Sequence, residues 1–309
     1  MSRIIYFFNG LHIFDYYVTN KFMFNNSDKS MSEYKRKLGI VAGGGTIPQM
    51  LVAYCIQKQI PYFVLAVEGN ADRCFFKESD CCRFIRIGQA GTGFEIFKKE
   101  KIDDVVMIGT IHRPSFADLV PDLRTTAFFA KIGLKALGDD GILRALIKEI
   151  ESEKMRVVGI HEIMPELLVK TGVLSRKKPD KALMRDVVRG VEVGLELGRL
   201  DVGQSVVVQE GLVLGVEGIE GTDELILRTG GYKRKGKGPV LIKLRKPQQD
   251  MRIDLPTIGM KTVENAYKSG FSGIAIHAGN ALIVDEEAVK KKINEYKMFL
   301  IGINPGEMK

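Results

Sequence analysis

The sequence predicts an α/β protein that has an N-terminal domain built on a parallel sheet, followed by a second α/β domain. Short apolar runs alternate with helical segments from Leu38 onward, which is typical of βαβ units in a parallel sheet. A polar stretch rich in Lys and Arg at residues 170–181 interrupts this pattern before strands and helices resume. A chain of 309 residues is long enough for two domains with separate cores.

Residues 1–33 are interpreted as a dispensable N-terminal extension. Tyr and Phe crowd residues 6–24, but the apolar region and small-residue cleavage site of a signal peptide are missing. Met31 opens a run that resembles a genuine N-terminus and leads directly into the first strand. An aromatic anchor at a membrane surface is the alternative. The two domains are then expected at residues 34–165 and 166–309.

In the first domain, short apolar runs predict strands, and longer periodic segments predict helices. Pro48 lies near the first position of a helix, which helix starts prefer. The expected strands are Leu38–Ala42, Tyr62–Val67, Arg83–Gly88, Asp104–Gly109 and Met155–Gly159, and the expected helices are Pro48–Gln57, Phe94–Glu100, Asp122–Leu137 and Asp140–Ser152.

The second domain is predicted to start with a long helix, Lys181–Arg199, whose apolar residues recur every four positions. Two β-rich runs then precede a Gly-Thr-Asp turn that ends at Asp223. The expected strands are Ser205–Gln209, Leu212–Glu217, residues 239–244, segments around Ile274 and Ile283, and residues 298–303, and the expected helices are Thr262–Ser269 and Asp285–Tyr296.

The bulk composition favours an anionic partner. The formal net charge is +8 at pH 7, which suits a phosphorylated metabolite, an anionic lipid surface or nucleic acid. No apolar run approaches the ~18 residues that a membrane-spanning helix needs. The four cysteines form neither a C-x-x-C pair nor a secreted framework, which predicts a reduced, cytoplasmic protein.

Two loops at strand ends are candidate ligand contacts in the first domain. Gly45 and Thr46 belong to a Gly-rich turn before a helix, where free N–H groups can receive phosphate or ribose oxygens. Gly109, Thr110 and Arg113 lie at the C-terminal end of another buried strand, so both loops are expected at the same sheet edge. The first loop matches neither a dinucleotide fingerprint nor a Walker loop, and it could be a simple tight turn. Arg113 could pair with a phosphate or carboxylate, or it could equally cap a helix or bridge to Asp118.

Other polar pairs in the first domain favour structural roles. Asp139 and Asp140 precede a helix, where capping is favoured over metal binding. His161 and Glu162 lack the spacing of a zinc site, so a structural or hydrogen-bonding role is favoured for them.

Asp223 and Asp254 are the predicted catalytic and metal-binding residues. Both lie at turns near clustered Lys and Arg, and Mg²⁺ often binds through one or two carboxylates plus substrate phosphates. Glu217 and Glu220 are close in sequence and could share the site. The alternatives are that Asp223 caps a helix beginning at Glu224 and that Asp254 only orders a turn.

A basic segment between Gly231 and Lys246 contains seven Lys and Arg and no acidic residue. Gly236 and Gly238 suggest a mobile loop before a strand. The segment could be a solvated charge run, a nucleic-acid patch, or an anchor for anionic lipid or diphosphate. Nucleic acid is disfavoured because Tyr232 is the one aromatic residue interleaved with the charges.

Ordered motifs from Lys37 to Pro305 resemble one known family. The motifs are VAGGGTIP, RPSFADLVPD, GDDGILRAL, HEIMPELL, LDVGQSVVV, EGLVLGVEG, EGTD and KPQQDMRIDLPTIG. In this order they resemble the LpxI-type UDP-2,3-diacylglucosamine pyrophosphatases of lipid A biosynthesis.

The resemblance implies an N-terminal Rossmann-like domain, a distinct C-terminal domain and lipid held between them. The implied activity is Mg²⁺-dependent hydrolysis of UDP-2,3-diacylglucosamine to UMP and 2,3-diacylglucosamine 1-phosphate (lipid X). The essential aspartate of the family's D-L-P-T-I-G motif corresponds to Asp254, and the E-G-T-D motif contains Thr222 and Asp223. Substrate contacts are also expected from Gln204, Lys243, Lys246 and Arg113.

One departure from the family pattern concerns His277, which stands where relatives commonly have Glu, so metal preference or pH profile could differ. A lipid substrate implies transient contact with the inner face of the cytoplasmic membrane, and homo-oligomerisation stays open. The competing functions are an NAD-dependent Rossmann oxidoreductase, for which Glu68 would be the ribose anchor, and a non-enzymatic module that binds anionic lipid or nucleotide.

Overall fold

The structure, a computed structural model, describes residues 34–111, 121–132 and 139–308. Contacts within the chain divide it into two units between Ile163 and Met164, close to the division that the sequence predicts at residue 165. The N-terminal extension at residues 1–33 and Arg113 lie outside the described residues.

The first unit is built on a five-stranded parallel sheet, as predicted, in the strand order β3-β2-β1-β4-β5. Apolar side chains of its central strands are buried, as expected for a sheet covered on both faces. The strands are β1 (Leu38–Ala42), β2 (Tyr62–Val67), β3 (Cys82–Ile85), β4 (Asp104–Ile108) and β5 (Arg156–Val157), and the helices are α1 (Ile47–Lys58), α2 (Ala90–Lys99), α3 (Leu123–Ile132), α4 (Asp139–Ser152) and α5 (Ile160–Ile163).

Helix α2 begins at Ala90, four positions before the predicted start at Phe94. Gly91 and Gly93 favour a loop in the sequence, but a tertiary partner supplies acceptors for the first amides of this helix. Asp122 accepts the Thr92 N–H at 3.2 Å, and the Thr125 hydroxyl accepts the Ala90 N–H at 3.0 Å. Contacts from distant residues therefore override the local preference.

A buried ion-pair network holds the start of β4. The Asp104 carboxylate is fully buried and accepts hydrogen bonds from Tyr34 Oη at 2.5 Å and Arg156 Nη2 at 3.0 Å. Arg36 Nε lies 2.9 Å from the same carboxylate. Burial alone would raise the pKa of Asp104, but the hydrogen bonds from Arg156 and Tyr34 and the arginine charges outweigh burial and lower it.

Asp104→Asn is expected to lower the free energy of unfolding by about 2 kcal/mol. This is less than for a fully buried pair, because both arginines are half exposed. Since the folded pKa lies below the unfolded value of about 3.9, the stabilisation is present above that pH and is lost as the pH falls through the folded pKa. Urea denaturation should show the difference between the two proteins shrinking in acid, and a difference independent of pH would contradict this account. Asp103→Asn is the control.

The second unit contains a six-stranded mixed sheet in the order β6-β13-β11-β9-β7-β8 and a two-stranded sheet of β10 and β12. Strands β9, β11 and β13 are parallel, while β7 runs antiparallel to both β8 and β9. The strands are β6 (Gly172–Val173), β7 (Ser205–Gln209), β8 (Leu212–Val216), β9 (Val240–Lys243), β10 (Thr257–Ile258), β11 (Gly273–His277), β12 (Leu282–Ile283) and β13 (Phe299–Ile303), and the helices are α6 (Lys181–Arg199), α7 (Gly221–Gly230), α8 (Met260–Lys268) and α9 (Glu286–Glu295).

Alternate residues of the central strands supply two apolar cores, one on each face of the large sheet. On β9, Ile242 packs with α6 in one cluster, and Leu241 belongs to the other cluster with residues of α7, α8 and α9. Helix α6 approaches β9 so closely that a Cβ at Gly190 would lie 2.4 Å from Ile242 Cδ1. The glycine therefore sets the close packing of this helix on the sheet.

The Gly-Thr-Asp segment is helical, contrary to the predicted turn. Gly221, Thr222 and Asp223 form the first turn of α7, and Glu220 is the N-cap residue. The alternative in which Asp223 caps a helix that begins at Glu224 is therefore wrong. The short strands β6 and β10 and the one-turn helix α5 were not predicted, because two to four residues carry too little periodicity to reveal them.

Candidate functional site

One edge of the large sheet in the second unit collects the polar residues of the candidate site. Lys243 ends β9, and Ser205, which begins the antiparallel strand β7, is its register partner. Glu217 follows β8, and its N–H donates to the Ser205 carbonyl at 2.9 Å. The first turn of α7 starts a few residues later, so three strand ends and a helix start contribute to the same place.

Lys243 is the centre of the site. Its side chain is buried, and Nζ donates a hydrogen bond to Thr222 Oγ1 at 2.6 Å. The Thr222 hydroxyl donates in turn to Glu217 Oε1 at 3.1 Å and lies 3.3 Å from Ser205 Oγ. Glu217 is also buried, and its Oε2 atom has no hydrogen-bond partner among the described residues. A buried carboxylate oxygen of this kind requires a positive charge or a donor nearby.

The electrostatics around Lys243 identify the groups that surround it. Burial lowers the pKa of the Lys243 ammonium, while the charges of Glu217, Asp223 and Asp254 act in the opposite direction. The two aspartates that the sequence singles out, which are far apart in the chain, therefore both lie close enough to act on one buried lysine. A buried lysine on which three carboxylates act is a strongly polar cluster and is suited to binding a charged substrate.

Asp223 lies in the first turn of α7, at the positive end of the helix dipole, where a negative charge is stabilised. Its Oδ2 atom pairs with the exposed Lys261 ammonium at 2.9 Å. Glu220, which the sequence allowed as part of the same site, instead pairs with Arg228 at 2.8 Å.

Asp254 lies in the segment between β9 and β10, where a buried amide, Gln249, donates a hydrogen bond to its Oδ2 atom. The Gln249 Oε1 atom accepts the Lys246 N–H at 3.2 Å, which fixes the orientation of the amide. The sequence does not single out Gln249, because a Gln within the Gln-Gln-Asp run has no spacing that marks it. Lys261 was not predicted either. A lysine in the first turn of a helix is unfavourable with the helix dipole, and this unusual position could have marked it as a candidate site residue.

The structure shows contacts of two further predicted substrate-binding residues in the second unit. The Lys246 ammonium pairs with Asp201 at 2.6 Å. Gln204 precedes Ser205, and its carbonyl accepts the Leu244 N–H at 2.8 Å. The side-chain Oε1 of Gln204 is buried and has no hydrogen-bond partner among the described residues.

The predicted contacts in the first unit lie on two hydrogen-bonded loops. The Gly44 N–H donates to the Thr110 carbonyl at 2.8 Å, and the Thr110 N–H returns a bond to the Gly44 carbonyl at 3.0 Å. Gly109 has φ +98°, and a Cβ there would lie 2.6 Å from the Gly44 carbonyl oxygen, so this close approach requires glycine. Gly45 also has positive φ, and Thr46 is the N-cap residue of α1 without a side-chain capping bond.

Arg113 falls outside the described residues, so its prediction stays untested. Glu162 accepts the Gly159 N–H at 2.8 Å and lies 3.5 Å from Arg156, which agrees with the structural role favoured for it. The four cysteines are unpaired. Within residues 34–111, 121–132 and 139–308, no group of three or more His, Cys, Asp or Glu side chains is arranged to hold a metal ion.

His277 ends β11 beside the strand that carries Lys243. Its Nδ1 atom accepts the Arg245 N–H at 3.4 Å. Burial, assisted by the positive charge of Arg245, lowers the pKa of His277 from 6.5 to about 4. The imidazole is therefore neutral near pH 7, whereas a glutamate at this position would add a negative charge.

The free energy of unfolding should depend on pH through the protonation of His277, and the lowered pKa fixes the direction of this dependence. The unfolded chain takes up the proton near pH 6.5 and the folded protein near pH 4, so the free energy of unfolding falls as the pH drops through this window. His277→Gln should lack this component. An NMR titration of the imidazole with a midpoint near pH 6.5 in the folded protein would contradict the assignment.

Comparison with known proteins gives consistent matches along the chain. The family model of the LpxI N-terminal domain matches residues 37–167, and the model of the LpxI C-terminal domain matches residues 170–301. The UDP-2,3-diacylglucosamine pyrophosphatase LpxI of Caulobacter vibrioides is 36% identical over 279 residues, which cover 88% of this chain and 99% of the relative.

Proposed function

The chain belongs to the LpxI family, and we propose that it is an enzyme that hydrolyses the diphosphate of UDP-2,3-diacylglucosamine. The products would be UMP and 2,3-diacylglucosamine 1-phosphate, as one water molecule is added across the bridging P–O–P bond. We place this reaction in the cytoplasm, where unpaired cysteines are kept reduced.

The observation that carries this proposal is the buried Lys243, which is linked through Thr222 to Glu217 and on which the charges of Glu217, Asp223 and Asp254 act. Hydrolysis of a diphosphate requires neutralisation of the negative charge on the transferred phosphoryl group and the leaving phosphate. The Lys243 ammonium supplies fixed positive charge, and its bond to Thr222 sets the direction in which it donates. The helix start of α7 adds oriented N–H groups, which favour phosphate oxygens.

The residues of this site are suited to Mg²⁺ that is bound by only a few protein ligands. The available donors are carboxylate oxygens, which Mg²⁺ prefers, and the buried Glu217 Oε2 atom is unpartnered among the described residues. Since these residues contain no ready-made group of three ligands, waters and substrate phosphates would complete the coordination. We assign Asp223 and Asp254 as the carboxylates that would hold the ion. When bound, Mg²⁺ would stabilise charge on the phosphoryl oxygens.

Other residues would support these carboxylates. The Lys261 ammonium, which is mostly exposed, neutralises Asp223 in this structure and has room to move away when a divalent cation arrives. Gln249, a buried amide, holds Asp254 through a hydrogen bond that keeps the carboxylate directed.

Turnover of UDP-2,3-diacylglucosamine in Mg²⁺, in EDTA, and in EDTA followed by excess Mg²⁺ tests the proposal. We expect UMP release in Mg²⁺, its loss in EDTA and its recovery when Mg²⁺ is restored. Mass spectrometry should identify 2,3-diacylglucosamine 1-phosphate in the same samples. Folded protein that releases no UMP under any of these conditions would overturn the proposed activity, and release that persists in EDTA would overturn the metal requirement.

A further inference from the structure

Away from the Lys243 cluster, the second unit exposes a surface that combines cations with apolar side chains. The tip of the β7–β8 hairpin carries Leu212 and Val213, and the loop before β9 carries a run of exposed charged residues. We call this surface the docking face; it comprises Leu212, Val213, Tyr232, Lys233, Arg234, Lys235 and Lys237, all of which are exposed.

A buried carboxylate holds the hairpin tip. Glu210 and Gly211 form its two-residue turn, and both have positive φ. The Glu210 N–H donates to Asp186 Oδ2 at 3.0 Å, and the Gly211 N–H donates to Asp186 Oδ1 at 2.7 Å. Asp186 projects from α6 and is buried. Turn amides usually bond to water, so this carboxylate fixes a segment that would otherwise be free to move.

A buried amide holds the basic loop. The Gln209 side chain is fully buried, and its Nε2 atom donates to the carbonyls of Arg234 at 3.0 Å and Lys237 at 2.7 Å. The Arg234 N–H donates back to Gln209 Oε1 at 2.9 Å. The sequence predicts a mobile loop from its glycines, but this backbone is anchored at two points. Since a Cβ at Gly236 would lie 2.7 Å from Glu210 Oε1, the loop also lies directly against the hairpin tip.

The charges of the docking face exceed what its neighbours neutralise. Asp180 pairs with Lys237, and Glu210 is the nearby carboxylate on the hairpin. Lys233, Arg234 and Lys235 remain as surplus positive charge beside Tyr232, which is 63% exposed, and Leu212, which is 47% exposed. A surface that is already held in one conformation loses little conformational entropy when it binds a partner.

We propose that the docking face binds the surface of an anionic phospholipid bilayer. Cations attract anionic headgroups, while Leu212, Val213 and Tyr232 match the apolar boundary just below them. Nucleic acid fits less well, because one aromatic residue gives no platform for stacking successive bases. The helices in the described part of the chain include none with the length and apolar character of a membrane span.

The docking face is separate from the catalytic proposal. It adjoins the start of β9, whereas Lys243 ends that strand, so binding to the bilayer and hydrolysis use different residues. Docking would keep the enzyme at the surface that carries a diacylated substrate, and the link to that substrate rests on the proposed function. Binding to vesicles itself does not depend on it.

Co-sedimentation of the full chain with vesicles tests the proposal. We expect binding to vesicles of phosphatidylglycerol and phosphatidylcholine in equal parts, little binding to pure phosphatidylcholine, and weakening by salt. Each surface cation contributes about fivefold to binding, so the triple variant Lys233→Gln, Arg234→Gln, Lys235→Gln should bind roughly a hundredfold more weakly. The matched control neutralises three exposed lysines of the first unit, Lys77, Lys99 and Lys131, and should bind like the wild type.

Two further variants separate shape from charge. Gln209→Leu keeps every charge of the docking face but removes the hydrogen bonds that hold the basic loop. The freed loop would lose conformational entropy when it binds the bilayer, so binding should weaken about tenfold. Leu212→Asn should weaken the part of binding that remains at high salt. A shift in Tm identifies any variant that loses its fold, and the surface triple variant should show none.

Turnover distinguishes this proposal from the catalytic one. With substrate in detergent micelles, the triple variant should release UMP at the same rate as the wild type. With substrate in anionic vesicles and a low enzyme concentration, it should release UMP more slowly than the wild type. If the wild type does not bind anionic vesicles, or the triple variant binds as well as the wild type, the docking proposal fails even though UMP is released. Preferential binding to an RNA probe, or self-association through this face without vesicle binding, would also overturn it.

Discussion

Asp254→Asn is expected to lower kcat for UMP release by at least about a hundredfold while the protein stays folded. The substitution keeps the shape of the side chain but removes the charge that acts on Lys243 and that would help hold Mg²⁺. The amide also places an N–H group where Gln249 already donates a hydrogen bond. Steady-state kinetics in saturating Mg²⁺ measure this effect, and urea denaturation checks the fold.

The matched control for Asp254 is Glu220→Gln. It makes the same change from carboxylate to amide in the same unit, but Glu220 is engaged by Arg228 rather than by the Lys243 cluster. Its kcat should stay within about threefold of the wild type, as is usual for a surface substitution worth about 0.5 kcal/mol. Comparable losses in both variants would show that any lost carboxylate impairs this unit, and the special role of Asp254 would then be abandoned.

Lys243→Met is expected to abolish turnover and to lower the free energy of unfolding by about 3 kcal/mol. Methionine is of similar length and apolar, so the main change is the loss of the ammonium. Glu217, which is buried, would then remain without its compensating charge, and the Thr222 hydroxyl would lose its donor. Urea denaturation measures the stability, and UMP release measures the activity.

The double variant Lys243→Met, Glu217→Gln separates the two effects. Neutralising Glu217 removes the uncompensated buried charge, so most of the lost stability should return, whereas turnover should not. Lys243→Arg keeps the charge but changes its geometry, and it should be more stable than Lys243→Met. If the double variant were as unstable as the single variant, the coupling between Lys243 and Glu217 would be refuted.

Strong periodicity made most of the fold predictable from the sequence. Helix α6 has the predicted bounds, Lys181–Arg199, because its apolar residues recur at helical spacing and Asp180 caps its start. Strand β2 likewise matches its predicted run, Tyr62–Val67. Predictions failed where local signals were weak or misleading, as at Ala90, where two glycines suggested a loop but Asp122 and Thr125 satisfy the first amides of the helix.

The candidate site was predictable only in part. Asp223 and Asp254 could be named from motifs, and Lys243 from its position in the basic segment. The sequence did not show that Lys243 is buried, that Thr222 links it to Glu217, or that Gln249 holds Asp254. These relations join residues distant in the chain, and no spacing along the sequence encodes their distance in space.

The sequence by itself determined the α/β class, the parallel sheet of the first unit and, through its ordered motifs, the family. Those features depend on local periodicity and on short motifs, and both can be read directly from the amino-acid sequence. Only the tertiary structure decided which polar groups are buried together at Lys243, and that Gln209 and Asp186 hold the docking face. The physical reason is that burial and hydrogen bonding depend on distance in space, which strand pairing and helix packing establish after the local elements form.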